Sequence, residues 1–455
     1  MEKNSATLVN NHSVKKTLIK MAAPMLIGTI AMNAYNLTDT FFISRLGKIP
    51  LAAIGFTFPV IMFVSCIARG LGTGAMTKAS HAMGQNDKIQ AQKITTNALI
   101  MAALLGITLA ITGILTIKPT FSALGTNDQV MPLVKNYMTI WYLGLIAITF
   151  AFVGNPIILG TGDAKASSFI ICLSMVINII LDPIMIFGLL GCPPMGIKGA
   201  AIATIISESI AGIGVVHLLA KRHNLLHFYN MSLKKRLSIW KEISHYAIPG
   251  ILSYILMPIS SAFITRVVAA YGISAVAASG AAGRIEMFAF MIPMTIGMSL
   301  VPFVSQNYGA MAIDRIKQAF NFAMTFALAF GLIIMIAFYL LAPFMARCFS
   351  NDTEIQQIIV QYLRIVSLAY GLMETHRYGG FFLVGTGHPI SAAILNALRC
   401  IVIIIPFVLI GSHLAGLKGT FIGRLLADGL SGIIAITWSW IILKKISKAK
   451  DKQNV

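Results

Sequence analysis

Acidic charge is scarce in this chain. Its 455 residues include 15 Asp and Glu against 35 Lys and Arg, and charged residues of both signs make up 11%. A water-soluble chain of this length carries about 25%. With 57% of residues hydrophobic, no soluble core could hide the apolar surface, whereas a bilayer accepts it as solvent. Cysteine is sparse too. Cys66, Cys172, Cys192, Cys348 and Cys400 are odd in number and lack metal-ligand spacing, so they read as small apolar side chains. The nine His are scattered, His-Glu-x-x-His is absent, and no nucleophile motif appears, which argues against a membrane-embedded enzyme. No cleavable signal pattern is visible, because the first apolar run is long and follows a basic, polar leader.

Apolar runs are abundant. They fall near 17–44, 51–83, 94–117, 131–159, 166–190, 197–220, 243–270, 275–308, 319–346, 356–384, 389–411 and 417–443. Each is long enough to cross a bilayer as a helix of about 20 residues. The expected fold is therefore all-α and integral to the membrane, with twelve transmembrane helices. An even number of spans puts both termini on one side. Lys and Arg gather there: Lys3, Lys15, Lys16 and Lys20 in the leader; Lys221, Arg222, Lys234, Lys235, Arg236 and Lys241 centrally; and Lys444, Lys445, Lys448, Lys450 and Lys452 in the tail. The opposite joints hold few, so both termini are expected to be cytoplasmic. The same placement, flanking apolar spans, excludes nucleic acid as the reason for a net charge of +20.

The chain repeats itself. Slid along itself until Pro24 meets Pro249, it also brings Gly47 onto Gly272, Gly84 onto Gly309, Tyr137 onto Tyr362, and Gly160-Thr161-Gly162 onto Gly385-Thr386-Gly387. Gly196-Ile197-Lys198-Gly199 resembles Gly416-Leu417-Lys418-Gly419 at a slightly smaller shift. One shared register over so many positions implies duplication. The expected organisation is a six-helix lobe over 1–220, a cytoplasmic linker over 221–242, and a second six-helix lobe with a basic tail over 243–455. Six is even, so the lobes share an orientation, related by a pseudo-two-fold axis along the membrane normal. Such frames suit alternating access.

Ionisable residues within spans are costly and are functional candidates by default. The first half has Asp39, Asp182 and Glu208; the second has Glu286, Glu374 and Asp428. At a helical rise of 1.5 Å, Asp39, Asp182 and Thr204 lie about 9–12 Å from the outer ends of spans 1, 5 and 6, in one layer. Asn178 and Tyr35, each four residues before an acid, share the faces of Asp182 and Asp39. Two carboxylates with an amide and a hydroxyl suit a proton or a hard cation. Glu208, one turn after Thr204, either joins this cluster or lines a pore. Arg284 with Glu286, and Arg424 with Asp428, read as ion pairs. Glu374 stands in a polar patch with Thr375, His376 and Arg377, where it could line a substrate cavity. Pro24 lies in the same helix as Asp39 and serves either a fixed kink or a hinge.

Leu37-Thr38-Asp39-Thr40-Phe41-Phe42-Ile43-Ser44-Arg45-Leu46-Gly47, followed by Leu51-Ala52-Ala53-Ile54-Gly55, resembles the first-span signature of the multidrug and toxic compound extrusion (MATE) transporters. Asn178-Ile179-Ile180-Leu181-Asp182-Pro183 and Gly199-Ala200-Ala201-Ile202-Ala203-Thr204 are similar to spans 5 and 6 of that family, and the Gly160-Thr161-Gly162-Asp163 joint fits as well. The resemblance, to the DinF-like branch, covers essentially the whole chain. It implies a V-shaped antiporter of the inner membrane, acting as a single chain. Cationic and amphipathic drugs, organic cations foremost, would leave in exchange for H⁺ or Na⁺, with no cofactor. Carried over residue by residue, the ion site falls on Asp39, Asn178, Asp182 and Thr204. Tyr35, Tyr137 and Asn155 join Glu208 and Glu374 as cavity candidates, and Pro24 matches the helix-bending proline. The acid that the norfloxacin-exporting branch carries in span 7 is missing here. A lipid-linked precursor flippase of the same superfamily is the alternative function. A major facilitator transporter would need a basic Gly-Asp-Arg-type loop where this chain has Gly84-Gln85-Asn86-Asp87-Lys88.

Overall fold

The computed structural model describes residues 8–9 and 12–453, with side chains through Lys450. Lys3 of the leader and the side chain of Lys452 lie outside the described residues. Among the described residues there are only helices and their joints.

The first six helical paths are α1 (Val14–Ser44), α2 (Lys48–Gly84), α3 (Lys88–Ala123), the bent pair α4 (Met131–Leu143) and α5 (Leu145–Gly160), α6 (Ala164–Phe187) and α7 (Ile197–His217). The next six are α8 (Leu233–Ala269), the bent pair α9 (Ile273–Ala289) and α10 (Met291–Gly309), α11 (Ile313–Phe349), α12 (Thr353–Val366) with α13 (Tyr370–Gly385), and a last stretch of α14 (Pro389–Ala397) and α15 (Ile404–Gln453). That last stretch counts as two paths, because Ala415 and Gly416 leave helical geometry inside α15. Among the described residues, eight helices are long and apolar enough to span by themselves, and the two bent pairs, each turning by 54°, raise that to ten. The break in α15 adds one. The α12–α13 path adds the other; it is less apolar because it carries Glu354, Arg364, Glu374 and Arg377.

The backbone repeats where the sequence does. Gly47 and Gly272 precede α2 and α9 with φ of 110° and 103°. Asn86 and Met311 share φ of 57° and 54°, and Gly162 and Gly387 share 89° and 84°. Gly196 and Gly416 match at 55° and 58°. The first three pairs keep the register that joins Pro24 to Pro249, and the fourth keeps the slightly smaller shift. Gly is needed at 47 and 272, because a side chain at such a φ is strained.

Two compact units divide the chain: Ala23–Ile251 with Met1–Leu8, and Leu252–Val455 with Val9–Ala22. In the first, α2 packs on α3 and α5, α5 on α3 and α7, and α6 on α7. The stretch 221–242, read above as a linker, is built into this unit. A π-turn, Leu218–Arg222, leads into an extended strap along α3. Gln92 donates to the Asn224 carbonyl at 2.8 Å, the Tyr229 hydroxyl donates to Gln92 at 2.7 Å, and the Trp240 indole donates to Asn97 at 3.0 Å. Leu225, Ile239 and Ile243 enter the core. Asp163 caps α6 by accepting the Ala166 N–H at 3.1 Å and pairs with Arg222 at 2.6 Å and His223 at 3.5 Å. Contact with His223, then the Ala166 N–H and the Arg222 charge, hold its carboxyl below the ordinary value.

In the second unit α13 is central, against α10, α11 and α15, while α12 packs on α9 and α11. Around both units large apolar side chains face outward, among them Leu115, Ile213, Leu340 and Phe344. Contiguous apolar exteriors of this kind belong in lipid.

Candidate functional site

The acid cluster of the first unit is assembled from α1, α4, α6 and α7. Asn178 and Asp182 lie one turn apart on the buried face of α6, both essentially without solvent exposure. The Asn178 amide, turned to suit its neighbours, donates to Asp182 Oδ2 at 2.9 Å and accepts the Thr204 backbone N–H at 3.2 Å. The opposite orientation would aim its carbonyl at a carboxylate, two acceptors facing each other. Asp182 Oδ1 is buried and makes no hydrogen bond. An ionised carboxylate with one oxygen left so is expensive in an apolar surround; a proton or a bound cation relieves it.

Asp39, half-buried on α1, is close enough for its charge to act on Asp182 and on the hydroxyls of Tyr35 and Tyr137. The Thr204 hydroxyl stands beside both tyrosines. Glu208, one turn along α7 from Thr204, interacts with Arg69 of α2 and with Tyr35. The structure thus gathers Asp39, Asn178, Asp182, Thr204, Tyr35, Tyr137 and Glu208 into one neighbourhood. Asn155, on α5, is half-buried with its amide oxygen unbonded, and no contact ties it to the cluster among the described residues. Pro24 sits inside α1, which continues as one helix through it.

Glu374 belongs to the second unit. It is wholly buried on α13 and pairs with Arg377 at 3.0 Å. The other charges there pair differently from the expectation. Glu286 turns away from Arg284, because residues two apart on a helix point in different directions. It binds Arg424 at 3.2 Å and accepts the hydroxyls of Tyr362 at 3.0 Å and Tyr370 at 2.7 Å. Asp428 lies 3.6 Å from Arg424 as the i,i+4 spacing suggested, but its closer partner is Arg399, at 2.6 Å. Arg69 and Arg399 escaped the sequence reading, which surveyed acids. A lone Arg inside an apolar run was the available signal for each.

A duplicated helical frame with an apolar exterior, and a buried acid cluster inside one repeat, is the build of a multi-pass membrane transporter. The MatE family profile matches this chain twice, over residues 24–184 and 249–410. The chain belongs to the MatE family. The two matches begin at Pro24 and Pro249, the pair that sets the register of the sequence repeat. Among its relatives, a protein named FAD transporter from Shewanella oneidensis is 34% identical over 92% of this chain and 93% of its own length. A probable multidrug resistance protein, YoeA of Bacillus subtilis, is 24% identical over 95% of both. The Vibrio cholerae MATE transporter VcmN, crystallised in a bent form, superimposes with a TM-score of 0.89 at 28% identity, covering 99% of each chain.

Proposed function

We propose that this protein is a secondary active exporter of small organic solutes, driven by inward H⁺ and working by alternating access. It would reside in the plasma membrane with both termini cytoplasmic, as the placement of its Lys and Arg suggests. The carrying observation is Asp182: buried, bonded to Asn178 through one oxygen, unbonded at the other, and within electrostatic reach of Asp39. A group in that setting binds a proton in one state and releases it in another. The amphipathic organic cations of the family resemblance are the first substrates to try.

The test uses inside-out vesicles, a fluorescent cationic dye, and imposed pH or Na⁺ gradients. Dye uptake should follow the pH gradient and be lost in Asp39→Asn. Uptake that survives this substitution under both gradients refutes the coupling site. Failure of any organic solute to move would instead favour the flippase.

A second reading, flavin nucleotide export, is favoured by the 34% identical relative named FAD transporter. The three arginines clustered in the second unit, Arg377, Arg399 and Arg424, support it.

A further inference from the structure

The second unit holds a cavity of about 640 Å³, walled by α8, α9, α13, α15 and the π-turn Leu398–Ile403. That volume lies within the range of small-molecule sites, roughly 300–1,000 Å³. Arg377, Arg399 and Arg424 line it, and Glu286 is the single acid in the lining. We propose that this cavity is a binding site for an organic anion, an aromatic body bearing phosphate, gripped by these three arginines.

Two of the three ion pairs face the same way, arginine toward the cavity and acid behind it. Each arginine keeps part of its side chain open, 26% for Arg377, 16% for Arg399 and 18% for Arg424. Two of the balancing acids are sealed behind them, Glu374 at 0% and Asp428 at 1%. The charges of the six groups balance overall, but the positive ends meet the cavity. Glu286, the acid that does reach the lining, is already saturated. Its two oxygens accept Tyr370, Tyr362 and both bonds from Arg424. It has little left to offer a cation.

Both oxygens of Glu374 and Asp428 Oδ2 are buried without a well-formed hydrogen bond, yet neither acid lines the cavity, where the arginines are the charged donors. A guanidinium carries five N–H groups in a planar fork. Arg399 places two of them on one oxygen, Asp428 Oδ1. Arg377 turns its buried Nη1 back to Glu374 at 3.0 Å. Phosphate oxygens match the arginine fork better than any neutral group. The π-turn that presents Arg399 fits this assignment, since such wide turns concentrate at functional sites. Met287, Phe290 and Met294 supply the apolar wall, with pliable thioethers suited to a flat ring.

The repeat sharpens the contrast. In the register that pairs Gly196 with Gly416, Arg424 occupies the place of Thr204. In the register that pairs Pro24 with Pro249, Tyr362 occupies that of Tyr137. The frame that carries the acid cluster in one unit carries arginines in the other.

The inference deepens the flavin nucleotide reading, but its test is binding without any gradient, so it fails or stands apart from transport. The purified full chain, in nanodiscs of phosphatidylcholine, is titrated with FMN and with riboflavin, which share a ring and differ by one phosphate. Fluorescence polarisation should show FMN binding tighter by about tenfold or more, the scale of one charge-assisted hydrogen bond. Inorganic pyrophosphate should displace it. The preference should shrink to under about threefold in Arg377→Gln and in the paired variant Arg399→Gln with Asp428→Asn, on the same scale. The paired variant leaves no lone buried charge, and pyrophosphate competition needs no variant at all. Nanodiscs containing phosphatidylglycerol separate the sources of phosphate. Loss of FMN binding there assigns the arginines to a lipid headgroup; retention assigns them to a soluble anion. Equal binding of FMN and riboflavin, or an FMN preference untouched by pyrophosphate and by both variants, overturns the site.

Discussion

Tyr137 and Tyr362 hold the same place in the two repeats, yet keep opposite company. Tyr137 stands by the Thr204 hydroxyl within reach of Asp39 and Asp182. Tyr362 donates to Glu286 at 3.0 Å and meets the Arg424 guanidinium. The duplication preserved the aromatic position and exchanged the charge chemistry around it, which is why the two units invite different experiments.

Asp182→Asn keeps the shape of the side chain and removes its titration. Because this residue is proposed to carry the coupling proton, dye efflux should fall by about tenfold or more, the loss expected of a group essential to one step. The melting temperature should hold or rise, since a buried ionisable group is removed. Normal efflux with Asp182→Asn would remove it from the coupling group.

Asp163 makes a prediction in pH. Its depressed carboxyl means that the folded state favours the charged form, so its stabilisation is complete above the ordinary value of 3.8 and fades as pH falls through the lowered value. Asp163→Ala, which loses the α6 cap as well, should cost about 1–2 kcal/mol at neutral pH. Thermal melts from pH 7 down to 3 should show the gap between wild type and variant narrowing only at the acid end. A gap that instead narrows between pH 7 and 5 would contradict this.

Arg399→Ala removes the closer partner of buried Asp428 and leaves it only the looser contact with Arg424 at 3.6 Å. Removing one partner of such a pair costs about 3–5 kcal/mol. Adding Asp428→Asn should recover most of the loss, because the poorly compensated charge goes with it. A double-mutant cycle on denaturant unfolding measures this directly; additive losses would argue against coupling.

Gly74 marks the packing of α2 on the first turns of α8. A Cβ there would meet the Ala247 amide nitrogen at 2.8 Å and the Ile243 carbonyl oxygen at 2.9 Å. Backbone cannot rotate away as a side chain can, so Gly74→Ala should destabilise the first unit by about 1–3 kcal/mol. Limited proteolysis of the strap at 223–232 provides the local readout, with faster cleavage expected.

Much of this was legible beforehand because it depends on neighbours in the chain. Apolar run length placed the helical paths, and Gly47 and Gly272 announced their turns because few other residues tolerate that backbone. Asn178 and Asp182 share a face by spacing alone. The pairing of Glu286 was not legible. Its partner Arg424 lies far along the chain, and choosing it over Arg284 needs the packing of α9, α12 and α15. The packing of the stretch 221–242, expected as a cytoplasmic linker, was not legible for a related reason: its Lys and Arg mark a membrane side, while only the fold shows Leu225 and Ile239 turning inward.

The sequence by itself determined the membrane-spanning helices, the duplication and the acidic residues of the first repeat, since hydropathy, backbone conformation and helical spacing are local properties. Tertiary structure alone decided which charges meet. It joined Asn178 to Asp182 and Thr204, sealed Glu374 and Asp428 behind arginines, and turned three guanidiniums toward one cavity. Those outcomes depend on which helix faces pack together, and a linear order of residues does not record that.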